Sequence, residues 1–405
     1  MQRNRRAFFG FFPVPPASER DHGRERTAAG TFACSNPFFL RKHLQSVRGM
    51  IYYVEIFFRA VVYANRERSI FHPMMHLLKK KYQEHVSGRY LPCTVFCRDP
   101  LVLVSYDRDF LDRVPAFLEA FSKSRAKSVH VFLQLGWEHE TPKNSEAFAR
   151  TVKEVEARCD RLKITILANS ENELRVLSGL GLHTVFCNQN AFVDESLYPV
   201  LKRPKKFDAI YVARLSPFKR HPLAAKIESL RLIGSKSWWI PGEEKYSDEI
   251  ITGQLKHAVW TPHVDAKDIP AEIAAAHCGL CLSQVEGAMF VSIEYLLCGV
   301  PVVNTANIGG RDALFPDFAV KTVPDTPEAV AGAVREFVEH APEPERIRAA
   351  ALEKMKPHRE TFRRLLNEVM APETFPDSRA IPHKLLLRCT KTPLQFLRYG
   401  LRKPE

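Results

Sequence analysis

Two glutamates eight residues apart, Glu286 and Glu294, lie in the stretch Ser283-Gln-Val-Glu-Gly-Ala-Met-Phe-Val-Ser-Ile-Glu-Tyr-Leu-Leu-Cys-Gly-Val-Pro-Val-Val-Asn304. The pattern reads as a strand, a loop carrying Glu-Gly, a helix holding the second glutamate, and a Gly-Val-Pro turn into another strand. Eight residues of helix span about 12 Å at 1.5 Å per residue, so the two carboxylates can touch different parts of one elongated ligand. A carboxylate accepts two hydrogen bonds and suits a vicinal diol such as a ribose or hexose edge. Gly287 has no side chain and lets a ligand approach the backbone. The amides of Ala288, Met289, Phe290 and Val291 then open the helix, where free N–H groups and the dipole favour anionic or hydroxyl-rich ligands. Taken alone, two such glutamates are more often a helix cap and a solvated helix residue, because acids near helix starts are common.

Other residues have weaker chemical patterns. Asp107-Arg108-Asp109 follows an apolar run, and a carboxylate pair there could hold Mg²⁺ or Mn²⁺, but Asp at a strand–helix junction is also a good N-cap. Cys278-Gly-Leu-Cys281 has no second cysteine pair and reads as strand core. His72-Pro-Met-Met-His76 has the spacing of a zinc-binding helix, but Pro73 stands where the base is needed. Neither a Walker A sequence nor GxGxxG occurs. No metal site and no cofactor are expected.

The elements that must position these residues come in two alternations. Leu101–Ser105, Val129–Leu135, Ile164–Ala168 and Thr184–Cys187 read as strands, with helices at Phe110–Ser122, Ser145–Arg158 and Glu171–Leu177. The polar, basic segment Lys202-Arg-Pro-Lys-Lys206 reads as a linker. Strands at Ala209–Ala213, Leu230–Ile233, Leu280–Ser283, Val300–Asn304 and Phe318–Thr322 follow, with helices at Glu328–His340 and Pro344–Met355. Alternating strands and helices imply parallel sheets with right-handed crossovers. The expectation is an α/β chain of two Rossmann-like domains facing a cleft. Residues 1–48 read as a disordered basic leader, 49–203 as the first domain, 204–365 as the second, and 366–405 as a basic C-terminal segment. Ile51–Val86 reads as helical, and Met50 is a candidate start.

The 405 residues carry 59 Lys+Arg against 46 Asp+Glu, and the excess of 13 is unevenly placed. Residues 1–50 contribute +6 and residues 371–405 contribute +4, leaving +3 for the 320 residues between them. The basicity therefore belongs to the ends, and nucleic-acid binding is not expected from the chain's middle. Nine dispersed cysteines do not form a secreted disulfide framework. No apolar run is long enough for a transmembrane helix, and the N-terminus lacks a signal peptide's pattern. A cytoplasmic protein is expected. The tail from Lys391 to Lys403, basic and amphipathic, suits either an anionic membrane surface or a return helix packed on the first domain.

The Glu286–Glu294 stretch resembles the Glu-x7-Glu signature of retaining glycosyltransferases of the GT-B fold, particularly glycosyltransferase family 4 (group 1). The similarity includes Cys298-Gly-Val-Pro-Val-Val303 and Gly309-Gly310. Val212-Ala-Arg-Leu-Ser-Pro-Phe-Lys219 is similar to the family's Gly-Arg-Leu-Ser-x-x-Lys element. Asn190-Ala-Phe-Val-Asp194, with Tyr198-Pro199, is similar to its Asn-Gly-Val-Asp…Phe-Pro passage. The likeness covers roughly residues 164–325 and implies a GT-B hexosyltransferase that moves a sugar from a nucleotide-sugar to an acceptor, with retention and without a metal. On that likeness Arg214 and Lys219 would hold the donor diphosphate and Glu294 the ribose. Glu286 would contact the donor sugar beside the reacting carbon, and the amides after Gly287 would hold sugar hydroxyls or phosphate. The family's histidine at the end of an N-domain strand would be His139, with Gln134 as rival. A nucleotide-sugar epimerase or phosphorylase on the same fold is a rival reading, and the first domain's lack of the family's glycine-rich loop keeps open a non-catalytic sugar-binding protein.

Overall fold

The computed structural model describes residues 91–236, 243–370 and 390–391. The leader at 1–48, the Ile51–Val86 helix, the His72–His76 spacing and nearly all of the basic tail lie outside the described residues. All described residues fall in one unit, Gln83–Glu405.

A two-residue strand, β1 (Leu91–Pro92), pairs antiparallel with Thr390–Lys391. The first alternation then runs β2 (Thr94–Arg98), β3 (Leu101–Tyr106), α1 (Asp107–Leu111), α2 (Val114–Lys123), β4 (Val129–Gln134), α3 (Pro142–Glu156), β5 (Leu162–Ala168), α4 (Glu171–Gly179) and β6 (Thr184–Phe186). The sheet order is β2-β3-β4-β5-β6, with β2 antiparallel and every later neighbour parallel. Three right-handed crossovers stepping the same way put their helices on one face. Period-two alternation divides the strands accordingly. Leu101, Leu103, Val129, Val131, Leu133, Ile164 and Ile166 meet Phe117, Phe121, Phe148 and Val152 of the helices. Val102, Val104, Phe132 and Leu167 face the other way and belong to the core of the second half.

Irregular, mostly exposed residues 201–206 lead into that second half. Its elements are β7 (Phe207–Val212), β8 (Leu230–Ile233), α5 (Glu243–Glu249), β9 (Val259–Thr261), α6 (Ile269–Ala274), β10 (Ala276–Cys281), α7 (Phe290–Leu297), β11 (Val302–Thr305), β12 (Val320–Val323), α8 (Pro327–Glu339) and α9 (Pro344–Val369). All six strands are parallel, in the order β12-β11-β10-β7-β8-β9. The chain enters at β7, winds outward through β8 and β9, then returns to β10 on β7's other side. The winding reverses between β7 and β10, and the loops leaving their C-terminal ends open a crevice there.

Three expectations change. The helix foreseen at Phe110–Ser122 is two helices, because Pro115 sits in the first turn of a new one that starts at Val114. The last helix does not stop at Met355 but continues through Pro357 to Val369, so the boundary set at residue 365 falls inside α9. Its far turns do what a return helix does: Phe362 packs edge-on against Phe96, Phe132 and Phe192 at 5.6–5.8 Å. The face of the first sheet opposite its own helices is thereby covered by the chain's last described helix.

Candidate functional site

The β7 loop carries Arg214, Phe218 and Lys219, and the β10 loop carries Glu286 and Gly287. The switch point therefore brings together residues 67 positions apart. Lys219 Nζ donates to Glu286 Oε1, and both side chains are largely buried, 12% and 9% exposed. The Phe218 ring lies 5.0 Å from Lys219 Nζ and 5.8 Å from the Arg214 guanidinium, so the two cations share one aromatic neighbour.

Both loops are held by backbone-directed bonds. Arg220 closes the β7 loop in a left-handed conformation (φ 52°), which costs a non-glycine residue about 1–2 kcal/mol. Its guanidinium offsets that by donating to the Leu282 carbonyl (2.6 Å), Thr305 Oγ1 (2.7 Å) and Asp325 (2.8 Å). The β10 loop runs beside residues 306–310, with Glu286 N donating to Ile308 O at 3.0 Å and Gly310 N to Gly287 O at 2.9 Å. Beneath it Arg311 is completely buried, donating to the Ser283 and Thr305 carbonyls and to Asp312. Gly309 has φ +107°, and a Cβ there would stand 1.7 Å from the Glu286 carbonyl oxygen, so only glycine fits.

The first domain presses its loops on this floor. A Cβ on Gly287 would come 2.9 Å from Trp137 N and 3.0 Å from the Gly136 carbonyl. Trp137 meets Phe218 edge-to-face with centroids 5.5 Å apart. Asn188 Nδ2 donates to both Asn169 O (2.6 Å) and Gly310 O (2.7 Å), tying β5's end to the second domain.

His139 lies in the loop after β4, its Nε2 2.9 Å from Asp107 Oδ2 and its ring stacked on Phe148 at 4.2 Å. Burial pushes this imidazole down, but the hydrogen bond and charge of Asp107 and the charge of Glu173 outweigh burial and raise it above the ordinary value. Glu173, fully buried, is itself pushed up to about 7 by burial while accepting the Asn169 and His139 amides. Asp107 also accepts the Gly136 and Arg108 amides (3.1 and 2.7 Å), so the carboxylate weighed as a metal ligand serves instead to anchor this loop. Among the described residues no group of three or more His, Cys, Asp or Glu could hold a metal ion. Gln134 is buried at the end of β4 with its Nε2 unpartnered.

Glu294 is the residue the structure sets apart. It lies in the second turn of α7, and its Oε1 accepts the Tyr198 hydroxyl at 2.8 Å. Burial raises its carboxyl to about 7. Tyr198 is fastened in turn, its carbonyl accepting from Arg348 of α9, which also donates to the Leu297 carbonyl at 2.5 Å. Helix α7 begins at Phe290, two residues later than expected, with Met289 as its cap. Ala288 and Met289 thus belong to the loop, and Phe290 and Val291 to the first turn. Cys278 and Cys281 are buried in β10. Sequence reasoning did not single out Trp137, Arg220 or Arg311.

Residues 194–354 match the family described as glycosyl transferases group 1. The structure is similar to that of HepE from Anabaena in complex with UDP: TM-score 0.50, 19% identity, 65% of this chain and 78% of that one covered. The HepE complex with UDP and glucose gives 0.51 and 19%, over 65% and 77% of the two chains. Sucrose-phosphate synthase from Thermosynechococcus elongatus gives 0.48 and 16%, over 64% and 79%. No curated protein matches the sequence. The fold is GT-B, two Rossmann-like domains, and the matched stretch holds the whole of the second one except the last turns of α9.

Proposed function

We propose that the chain transfers a sugar from a nucleotide-sugar to an acceptor hydroxyl, with retention of configuration and without a metal. The observation that carries this reading is the Lys219–Glu286 pair at the reversal between β7 and β10, the position where doubly wound sheets take their ligands. The group 1 match and the GT-B fold support it. The HepE complexes hold UDP or UDP-glucose, which makes uridine diphosphate sugars the first donors to test.

In this reading Lys219 and Arg214 face the donor diphosphate. As the bond between the sugar's anomeric carbon and the phosphate oxygen breaks, the electron pair passes to that oxygen, and the two cations stabilise the charge. The acceptor hydroxyl forms the new bond on the same face, and its proton passes to the departing phosphate. Glu286, adjoining Lys219, positions the sugar through its hydroxyls. The ammonium leaves its carboxylate partner for the diphosphate, so the resting pair keeps both charges paired until the donor arrives. Glu294 would take a ribose hydroxyl on Oε2 while Oε1 keeps the Tyr198 hydroxyl. Closely apposed domain loops at Gly287 exclude water, which would otherwise compete with the acceptor.

The test is nucleotide release from UDP-, GDP- and ADP-sugars, with proton NMR of the product's anomeric centre. At least one donor is consumed, EDTA does not stop turnover, and the product keeps the donor's anomeric configuration. Inversion, or loss of turnover with EDTA, contradicts those parts of the proposal.

A further inference from the structure

We propose that Tyr198 is a positioning residue for the nucleotide: its hydroxyl fixes the Glu294 carboxylate so that the site distinguishes a ribose from a deoxyribose. The proposal rests on the nucleotide-sugar reading and adds the residue that sets this selectivity. The phenolic O–H donates to Glu294 Oε1 at 2.8 Å, joining residues 96 positions apart. Both side chains are half-buried, and this is the one hydrogen bond the carboxylate accepts among the described residues. Oε2 is left for a ligand.

One arginine holds the contact from both sides. Arg348 of α9 donates through Nη1 to the Tyr198 carbonyl and to the Leu297 carbonyl (2.5 Å), and through Nη2 to the Glu195 carbonyl at 2.9 Å. Leu297 ends α7, one turn after Glu294. The planar guanidinium therefore fixes the backbone that carries the carboxylate and the backbone that carries the phenol. Glu195 is fastened a second time, its carboxylate oxygens accepting from Arg359 at 3.1 and 2.8 Å. A donor already held in place adds no ordering cost when a ligand arrives.

The chemistry assigns each oxygen a task. Burial and the neighbouring Glu294 charge push the Tyr198 phenol well above its ordinary value, so it remains a donor whenever the carboxylate is ionised. Burial raises Glu294 to about 7, and the Tyr198 hydroxyl opposes that rise by favouring the ionised form. With Oε1 occupied the carboxylate does not turn, and Oε2 keeps two lone pairs for the adjacent hydroxyls of a ribose. A deoxyribose leaves this half-buried oxygen without a donor, a heavier loss than one missing contact in open solvent. Phenylalanine at 198 keeps the ring and frees the carboxylate to turn.

The experiment is isothermal titration of the full chain at pH 8, where Glu294 is largely ionised. The probes are UDP, GDP, ADP and their dideoxyribose counterparts. The wild type binds at least one ribonucleotide about 10–100-fold more tightly than its dideoxy counterpart. Tyr198→Phe weakens that ribonucleotide about tenfold, leaves the dideoxy form unchanged, and has no further effect once Glu294 is replaced by Gln. Circular dichroism melts verify that the variants fold. Equal weakening of both forms, or an unchanged ratio between them, makes Tyr198 a brace for the fold alone and overturns the proposal while the donor reading stands. A wild type that binds both forms equally overturns it as well. Binding of no diphosphate by the wild type overturns the proposal and the donor reading together.

Discussion

Lys219 and Glu286 form a largely buried ion pair that ties the loop after β7 to the loop after β10. Removing one partner strands the other charge, which costs about 3–5 kcal/mol in buried pairs, whereas removing both leaves no charge to desolvate. Urea denaturation of Lys219→Met, Glu286→Gln and the double variant forms the test. Lys219→Met is the less stable single variant, and the double variant is more stable than the sum of the singles predicts. Simple additivity would show that the two side chains do not act as a pair.

Arg311 carries the β10 loop from below. Its guanidinium has no solvent exposure and satisfies carbonyls of Ser283 and Thr305 as well as Asp312. Arg311→Leu fills much of the volume but leaves those acceptors unpaired and Asp312 without its cation. The expected loss is about 3–5 kcal/mol, read as a lower denaturant midpoint. A change under about 1 kcal/mol would show the loop to be held by other contacts.

Gly309→Ala is expected to be among the more damaging small substitutions in the second domain. Its positive φ and the 1.7 Å approach to the Glu286 carbonyl leave no room for a methyl group. Positive-φ strain alone costs about 1–3 kcal/mol, and the clash adds to it. The variant's thermal midpoint falls well below that of Gly332→Ala, a helix glycine whose added Cβ would meet nothing closer than 3.9 Å. Equal midpoints would contradict the geometry.

Much of this arrangement is legible in the sequence, and the gaps have physical causes. Strands β4, β5, β7 and β8 show as apolar runs because both faces of a parallel sheet are covered. Pro357 hides the far half of α9, because a proline removes an intrahelical bond and marks a helix end in sequence. Tertiary contact outweighs that cost: Met355, Phe362, Leu365 and Leu366 are all buried beyond or beside Pro357. Strand β2, antiparallel and only half-buried, gives no such run. Lys219 and Glu286 are each legible as candidate site residues, but no spacing rule announces that the two side chains meet. Nothing in the sequence marks Trp137, because exposure of an aromatic is a property of the fold.

Glu294 makes stability depend on pH. Its native carboxyl holds a proton up to about pH 7, against an ordinary value of 4.5. Between those values the native state binds more protons than the unfolded chain, so stability falls as pH rises through that window. Glu173, also raised to about 7, acts in the same direction. Glu294→Gln still accepts the Tyr198 hydroxyl but cannot ionise. Its melting temperature therefore drops less than the wild type's between pH 5 and pH 8, and an identical drop would contradict the burial assigned to Glu294.

The central claim is that the crevice between β7 and β10 takes a nucleotide-sugar through Lys219. Isothermal titration of UDP, GDP and ADP into the wild type and Lys219→Ala measures this most directly. The account predicts that one diphosphate binds the wild type and binds Lys219→Ala about 10–100-fold more weakly, as expected for losing a charge-assisted contact. Equal affinity in the two proteins would contradict it, as would no diphosphate binding alongside salt-sensitive binding of DNA.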